Sequence, residues 1–437
     1  MTRLLASALL LTMLLPVAAA QARAGDPDKR FGRQGTVTLK ATAADAVGGA
    51  VKVISGNRVL AGGAAAGQFV VVRLRSTGTL DSKFGTGGQV VPALPGTTLD
   101  GVRAISVFRD GRIVAAGTLR QADGTTRLVA FRLLPTGEID PSFGAGFGYV
   151  LAGPPGSELG AMVMDTNGNV TLGGSRPGDI PIIIRLLADG SPDLSFGANA
   201  TVDGANLGVN GRITGLLVKA DGTTTFTVGG FPSTNYAATF TVIRVLPNGV
   251  PDPTWNGTGV VQVPLGPGAA PGIGAAAIRQ GPKGTTLVAG TDLTTAGTPR
   301  GAVVRLTVSG ALDTRFGSHG VARIARAGRE IRIKSMVRDS TGRILLSGSG
   351  QPPEGMVLRL RANGARDKTF GNNGITYPLL GRPPGGDPIY TTLDAIDANG
   401  PRAIIAGSAA GPGQLIRGNP AGTLYTGRFA FTVSKLK

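Results

Sequence analysis

The chain has 437 residues, of which 41% are hydrophobic, 71 are glycine and 29 are proline. This composition excludes a disordered chain and favours many short strands separated by turns. The formal net charge of +18 is consistent with solubility alone or with attraction to an acidic partner such as an envelope polysaccharide or nucleic acid. Because there is no cysteine and only one histidine, disulfides and transition-metal sites built from several Cys or His ligands are excluded.

The first 24 residues have the pattern of a secretory signal peptide. Arg3 is followed by an apolar run from Leu4 to Ala20, and small residues form two A-x-A cleavage patterns, ending at Ala20 and Ala24. A membrane anchor needs a longer apolar run with stronger flanks, and no later segment is a candidate span. We therefore expect an exported protein, periplasmic or extracellular, that loses residues 1–24 and keeps no transmembrane span. The pattern leaves open which alanine precedes the cut.

An aspartate and aromatic motif, D-x-x-F-G-x-x-G, recurs along the remaining chain. Its seven copies are DKRFGRQG at Asp28, DSKFGTGG at Asp81, DPSFGAGFG at Asp140, DLSFGANA at Asp193, DPTWNGTG at Asp252, DTRFGSHG at Asp313 and DKTFGNNG at Asp367. Consecutive aspartates are 53 to 61 residues apart, which is too regular for chance and too short for independent domains. The repeats must share a core, and the repeated aromatic ring is predicted to lie in it.

Each repeat also contains a strand that ends in arginine. The seven strands are VVVRL at Arg73, VAFRL at Arg132, IIIRL at Arg185, TVIRV at Arg244, AVVRL at Arg305, MVLRL at Arg359 and QLIRG at Arg417. Between the two motifs lies a hairpin pattern such as AISVFRDGRIVAAG (104–117), in which two β-rich runs flank a tight turn. With the strand after each FGxxG, every repeat has four predicted strands, and no segment has helical periodicity.

Seven repeats of four antiparallel strands predict an all-β, seven-bladed β-propeller. A β-solenoid is the alternative, but its repeats are usually shorter and lack this hairpin pattern. In the quoted motifs the chain resembles the bacterial delta-60 repeat family, over residues 26–425, and this resemblance implies a propeller scaffold of uncharacterised function. We expect a domain over 25–425, with units starting near residues 28, 81, 140, 193, 252, 313 and 367, and a C-terminal strand or tail over 426–437.

In six repeats an aspartate follows the motif arginine after eight residues, which predicts an ion pair across the turn between the third and fourth strands. The pairs are Arg73 with Asp81, Arg132 with Asp140, Arg185 with Asp193, Arg244 with Asp252, Arg305 with Asp313 and Arg359 with Asp367. Arg417 has no aspartate at this spacing, and Asp28 has no preceding arginine. We predict that residues 28–39 supply the outer strand of the last blade, so that Asp28 pairs with Arg417. Residues 429–433 are an alternative closing strand, competing with 36–39.

Few residues are candidates for catalysis or metal binding. An acid–base hydrolase needs paired carboxylates in one pocket, and most aspartates lie in the repeated motif or in hairpin turns. Asp165 begins a D-x-N-G-N sequence typical of calcium loops, but Arg176 stands where the bidentate acid belongs, so we predict a turn. His319 occupies a turn position held elsewhere by residues such as Gln34 and Asn373. We expect no catalytic residue, cofactor or metal.

Loop length varies between repeats on one face only. Units two, four and five have longer loops between the second and third strands, on the same face as the connections between blades. Loops on a rigid scaffold commonly bind partners, although tolerated drift explains the same variation. The candidate contacts on this face are Arg120, Asn235, Tyr236, Asp292, Arg300, Arg382 and Tyr390.

The sixth unit contains a basic run, in which REIRIKS places Arg332 and Lys334 on one face of a strand. A solvated strand face and a patch for an acidic partner both explain it. We predict a monomeric, non-catalytic binding or scaffolding module for a protein or an anionic envelope polysaccharide. An exported propeller lyase or hydrolase with a site in the central channel is the alternative. Nucleic acid is disfavoured because few aromatic side chains remain for base stacking.

Overall fold

The protein, in a computed structural model, is described over residues 23–39, 46–229, 238–266, 273–326, 329–350, 355–378, 390–400, 402–410 and 429–437. These residues form 28 β-strands and three short 3-10 turns, at Ser55–Asn57, Gly204–Leu207 and Pro282–Gly284, and they contain no α-helix. Within them, no helix is long and apolar enough to cross a membrane. The all-β prediction is confirmed.

The strands group into antiparallel sets of four, each built from consecutive hairpins. Set 1 contains β2 (Ala46–Ile54), β3 (Arg58–Ala65), β4 (Gln68–Leu74) and β5 (Gln89–Val90). Set 2 contains β6 (Thr97–Val107), β7 (Ile113–Arg120), β8 (Thr126–Leu133) and β9 (Tyr149–Ala152). Set 3 contains β10 (Glu158–Met164), β11 (Val170–Arg176), β12 (Ile180–Leu186) and β13 (Thr201–Asp203).

The next three sets repeat this order. Set 4 contains β14 (Arg212–Val218), β15 (Thr224–Gly229), β16 (Ala238–Val245) and β17 (Val260–Gly266). Set 5 contains β18 (Gly274–Gln280), β19 (Thr286–Leu293), β20 (Pro299–Leu306) and β21 (Val321–Ile324), and a single pair, Gly229 with Gly274, joins it to set 4. Set 6 contains β22 (Ile331–Arg338), β23 (Ile344–Gly350), β24 (Gly355–Leu360) and β25 (Ile375–Thr376).

Set 7 combines strands from both ends of the chain. It contains β26 (Tyr390–Asn399), β27 (Arg402–Ala410), β28 (Phe429–Leu436) and β1 (Thr36–Leu39), in that order. Thr36 is paired with Ser434 and Leu39 with Phe431. The two candidate closing strands therefore do not compete, since 429–436 is the third strand of this set and 36–39 is the fourth.

The first strand of every set carries a β-bulge at the same register. The bulge residues, at which the register shifts by one, are Gly49, Arg103, Gly160, Thr214, Ala276, Lys334 and Asp394. A small residue and then a large apolar one follow each bulge, as in Ala104 and Ile105. Because a bulge bends its strand and increases the local twist, this shared register gives all the first strands the same bend.

The hydrophobic core is divided into layers between neighbouring sets. One layer contains Phe69 of set 1 and Phe131 of set 2, whose ring centroids are 5.7 Å apart. Another contains Val59 of set 1 together with Ile404 and Val433 of set 7, so the first and last sets pack against each other. The repeated aromatic residues, six Phe and Trp255, are at most 1% exposed, which confirms their predicted place in the core.

Candidate functional site

The repeated arginine and aspartate residues meet in all six predicted pairs. The distance from Arg Nε to Asp Oδ2 is 2.6 to 2.9 Å, and both partners are buried. Each guanidinium also lies over the repeated aromatic ring, 4.1 to 4.8 Å from its centroid. Burial raises the pKa of Asp140, but hydrogen bonds from Ser142 and Arg132 outweigh it, so its pKa lies below the ordinary value. These charged side chains are therefore paired with each other in the protein interior.

The same motif links each set to the next. Arg73 Nη1 donates to the carbonyl oxygen of Pro135, 2.6 Å away in set 2. The residue after each repeated aromatic also donates its backbone N–H to a turn of the following set, over 2.6 to 2.9 Å. The seven links are Gly32 to Thr77, Gly85 to Thr136, Gly144 to Asp189, Gly197 to Asn248, Asn256 to Ser309, Gly317 to Asn363 and Gly371 to Ala24. We call the strand ends that carry these turns the motif face.

Asp28 is paired with Lys435, the residue that β28 places at the motif arginine position. Lys435 Nζ lies 3.6 Å from Asp28 Oδ2 and 5.8 Å from the ring centroid of Phe31. The predicted partner, Arg417, lies outside the described residues. The sequence VSKL (433–436) is a variant of VVRL, and a pattern that requires arginine misses it because lysine replaces the cation.

The opposite strand ends, which carry the loops between second and third strands and the connections between sets, form the loop face. Ion pairs stabilise this face. Arg212 binds Glu158 at 2.6 Å and Asp179 at 3.0 Å, which joins set 4 to set 3. Arg176 binds Asp203 at 2.9 Å. Although burial lowers the pKa of Arg212, the two carboxylates raise it above its ordinary value.

The predicted partner contacts occupy different environments on the loop face. Arg120 is exposed at the end of β7. Asp292 is not an exposed contact: its side chain is fully buried, 2.8 Å from Arg300 Nη2 and 3.4 Å from Arg323 Nε. Arg300 is half-buried because its guanidinium pairs with this carboxylate. Tyr390 begins β26, and the remaining three candidates, Asn235, Tyr236 and Arg382, lie outside the described residues.

Charged residues also gather at the loop-face ends of the first strands. Arg103 is 45% exposed and lies 3.0 Å from Asp100, which is 46% exposed. In β22, Ile331 and Ile333 are buried, Arg332 is half-buried near Glu330 and Lys334 is exposed. The first strands contact one another in chain order, and β2 contacts both β6 and β26. The bulge therefore places the cations Arg103 and Lys334 at equivalent positions among these strands, which the sequence pattern alone did not reveal.

One carboxylate lies deeper between the first strands. Asp397 accepts the backbone N–H of Val53 at 2.8 Å and lies 3.4 Å from Lys52 Nζ. Burial lowers the pKa of Arg279 in β18, and the negative charge of Asp397 opposes that shift. Among the described residues, no group of three or more His, Asp or Glu side chains is arranged to hold a metal ion.

The two sequence features that suggested chemistry are turns. Asp165 Oδ1 accepts the backbone N–H groups of Asn167 and Asn169, at 2.8 and 2.9 Å, which confirms the predicted turn. His319 has a left-handed φ of 52°, as do Gln34 and Asn373 at 55° and 53° in the same motif position. His319 lies beside a groove of about 420 Å³ between sets 4 and 5.

Three segments of the chain, residues 57–84, 109–143 and 282–316, match a family described as a β-propeller domain of unknown function, DUF5122. This chain is a β-propeller repeat protein. The narrower delta-60 assignment stays a prediction. No curated protein matches the chain.

Solved propeller structures are similar to this repeat protein at low sequence identity. Virginiamycin B lyase from Staphylococcus aureus is 12% identical, with 91% of this chain and 98% of the lyase covered and a TM-score of 0.50. The WD40 domain of Toxoplasma gondii coronin is 10% identical over 92% of this chain and 85% of that domain, with a TM-score of 0.45. Drosophila semaphorin 1a is 12% identical over 86% of each chain, with a TM-score of 0.44. The likeness to the lyase shows a shared fold and nothing about activity.

Proposed function

We propose that the protein is an exported, seven-bladed β-propeller whose sets 1 to 7 are the blades and whose N-terminal strand closes the ring. Three observations support closure: β1 is paired with β28, sets 1 and 7 share a core layer, and the seven backbone links join every set to the next, including set 7 to set 1 through Gly32 and Thr77. Export rests on the leader pattern of residues 1–24, with the periplasm or the medium as the destination.

We further propose that this propeller is a non-catalytic binding module for an anionic envelope polysaccharide, taken up at the centre of the loop face. The observation that carries the proposal is the contrast in exposure between the repeated carboxylates and three cations of the loop face, of which Arg103 lies beside the exposed Asp100. The repeated aspartates are buried inside ion pairs, whereas Arg103, Lys334 and Arg120 are exposed on the loop face. The chain as a whole has a formal net charge of +18, and these exposed cations would direct the attraction for negatively charged polymers to the loop face.

A polysaccharide with repeated carboxylate or phosphate groups fits this arrangement better than a single small anion. The cations stand on different first strands and on the neighbouring β7, so one extended polymer can meet several of them. Arginine and lysine form charge-assisted hydrogen bonds with such groups, and rigid blades keep the cations in place without further ordering. An acidic protein segment is the other partner class, and the binding experiment distinguishes it.

The test is a titration of the purified protein with alginate, a carboxylated polysaccharide, with neutral dextran as the control polymer. We expect binding to alginate alone, and weaker binding as salt rises, because salt screens exposed charges. The double variant Arg103→Ala, Lys334→Ala should bind several-fold more weakly. Arg109→Ala, an exposed arginine in a motif-face turn, is the matched control and should bind as the parent does.

Three results would contradict the proposal. If Arg109→Ala weakened alginate binding as much as the double variant does, net charge and not the loop face would account for the binding. Binding of an acidic peptide such as polyglutamate, but not of alginate, would assign the face to a protein partner. Shortening of the polysaccharide during the titration, abolished by Asp397→Asn, would support the enzyme alternative.

A further inference from the structure

Residues 23–28, next to the leader, are part of the folded domain. Gly25 N–H donates to the carbonyl oxygen of Lys437 at 2.8 Å, and Lys437 N–H donates to the carbonyl oxygen of Asp26 at 2.9 Å. The N–H of Arg23 donates to Asp26 Oδ2 at 2.7 Å. The chain is therefore held on both sides of Ala24, one of the two alanines at which the leader pattern ends.

The sequence AGDPD (24–28) is a seventh copy of the turn that precedes each motif aspartate. Other copies are TGTLD (77–81) and NGARD (363–367), and all share the form x-G-x-x-D. Gly25 has a φ of 98°, and Gly364 has a φ of 87°. A side chain on Gly25 would come within 2.9 Å of the Phe370 ring, just as one on Gly364 would meet Phe316. Both positions therefore require glycine.

Ala24 supplies the acceptor that completes the ring of backbone links. Its carbonyl oxygen accepts the N–H of Gly371 at 2.7 Å, the bond that Asn363 provides for Gly317 in the preceding set. Ala24 also packs against the apolar cluster that contains Phe370 and Leu436. Cleavage after Ala24 would remove this acceptor and leave a positively charged amino group on Gly25.

We infer that the leader is removed upstream of Arg23, at the site ending in Ala20, so that the mature chain begins at Gln21 and keeps the turn. This inference rests on the proposed export. It changes the expected domain boundary, since residues 21–24 then belong to the mature protein.

The first test determines the N-terminus of the mature protein. The full chain is produced in an exporting bacterium, recovered from outside the cytoplasm and identified by mass spectrometry of the intact protein and its first peptide. A start at Gln21 or Arg23 supports retention of the turn. A start at Gly25 overturns the inference and leaves export standing, whereas an uncleaved chain in the cytoplasm overturns both.

The second test measures what the turn contributes. Chains starting at Gln21, Arg23 and Gly25 are released from a removable tag, and their thermal unfolding midpoints are compared. The Arg23 chain is the matched control because it retains the Ala24 carbonyl, and it should unfold with the Gln21 chain. The Gly25 chain should have an unfolding midpoint about 2 °C or more below that of the Gln21 chain. Equal midpoints for the Gln21 and Gly25 chains would overturn the structural reason for retention.

Discussion

The buried pair of Arg132 and Asp140 allows a direct test of how much the repeated ion pair contributes to the free energy of unfolding. Asp140 is 3% exposed and Arg132 is 2% exposed. Asp140 accepts from Arg132 Nε at 2.7 Å, from Ser142 N–H at 3.0 Å and from Ser142 Oγ at 2.7 Å. The substitution Asp140→Ala removes the counter-charge and leaves the guanidinium in a buried environment.

Removing one partner of a buried ion pair costs about 3–5 kcal/mol. Arg132 keeps two other acceptors, the carbonyl oxygen of Ala188 and Ser142 Oγ, so we expect the lower end of this range, about 3 kcal/mol. The matched control is Asp110→Ala. Asp110 also binds an arginine, Arg112, at 2.8 Å, but it is 52% exposed, and we expect a cost of about 0–1 kcal/mol.

The assay is equilibrium unfolding in urea, followed by circular dichroism. A double-mutant cycle with Arg132→Met completes it, because the double variant leaves no unpaired buried charge. It should cost at least about 1 kcal/mol less than the sum of the single substitutions. If Asp140→Ala proved no more harmful than Asp110→Ala, the reasoning that the repeated pair is a buried structural element would be refuted.

Three further predictions follow from the same geometry. Lys435→Arg should raise the unfolding midpoint, because arginine at this position can donate to Asp28 as the motif arginine does in the other sets; an unchanged or lower midpoint would contradict this. The pKa of Asp140 and of the five equivalent aspartates lies below the ordinary value of 3.8, so their stabilisation is complete above pH 3.8 and is lost as the pH falls through the lowered values. Urea midpoints measured from pH 7 to pH 2 should therefore fall only at the acid end, and less steeply in Asp140→Asn. Gly160→Ala should be strongly destabilising, since the added Cβ would lie 1.7 Å from the Ile213 carbonyl oxygen. Gly87→Asn should leave the thermal midpoint nearly unchanged, since a Cβ at Gly87 would meet no atom within 4 Å and asparagine tolerates its left-handed φ of 62°.

The repeats, the all-β fold and the six ion pairs could be predicted from the sequence because each depends on residues close together in the chain. Arg132 and Asp140 are separated by one turn, so an eight-residue spacing is sufficient to bring them together. The aromatic position is also local, since it follows its aspartate by three residues. These features recur, and comparison of the copies distinguishes a position with a constant structural role from a variable position such as that of His319.

The candidate site was less predictable because it depends on contacts between distant residues. Asp292 lies where β19 leads into a loop of variable length, which suggested an exposed contact. In the folded chain its carboxylate is buried against Arg300 and Arg323, and the second of these lies in β21. Lys334 was recognised in the basic run of the sixth unit, where simple alternation of faces holds as far as this residue. Arg103 was not recognised, because the bulge that gives it a position equivalent to Lys334 depends on pairing with the neighbouring strand.

The sequence by itself determined the repeating unit, its four strands and the internal pairing of its charges, since turn spacing and side-chain chemistry act within a few residues. The sequence also predicted that residues 28–39 supply the outer strand of the last set, but only the tertiary structure decided which strand this one pairs with and which cation meets Asp28. Lys435 in place of the expected Arg417, and AGDPD as a seventh turn, become recognisable once β1 lies beside β28. The pairing joins residues almost 400 positions apart, such as Thr36 and Ser434, so no spacing within a single repeat identifies the partner strand.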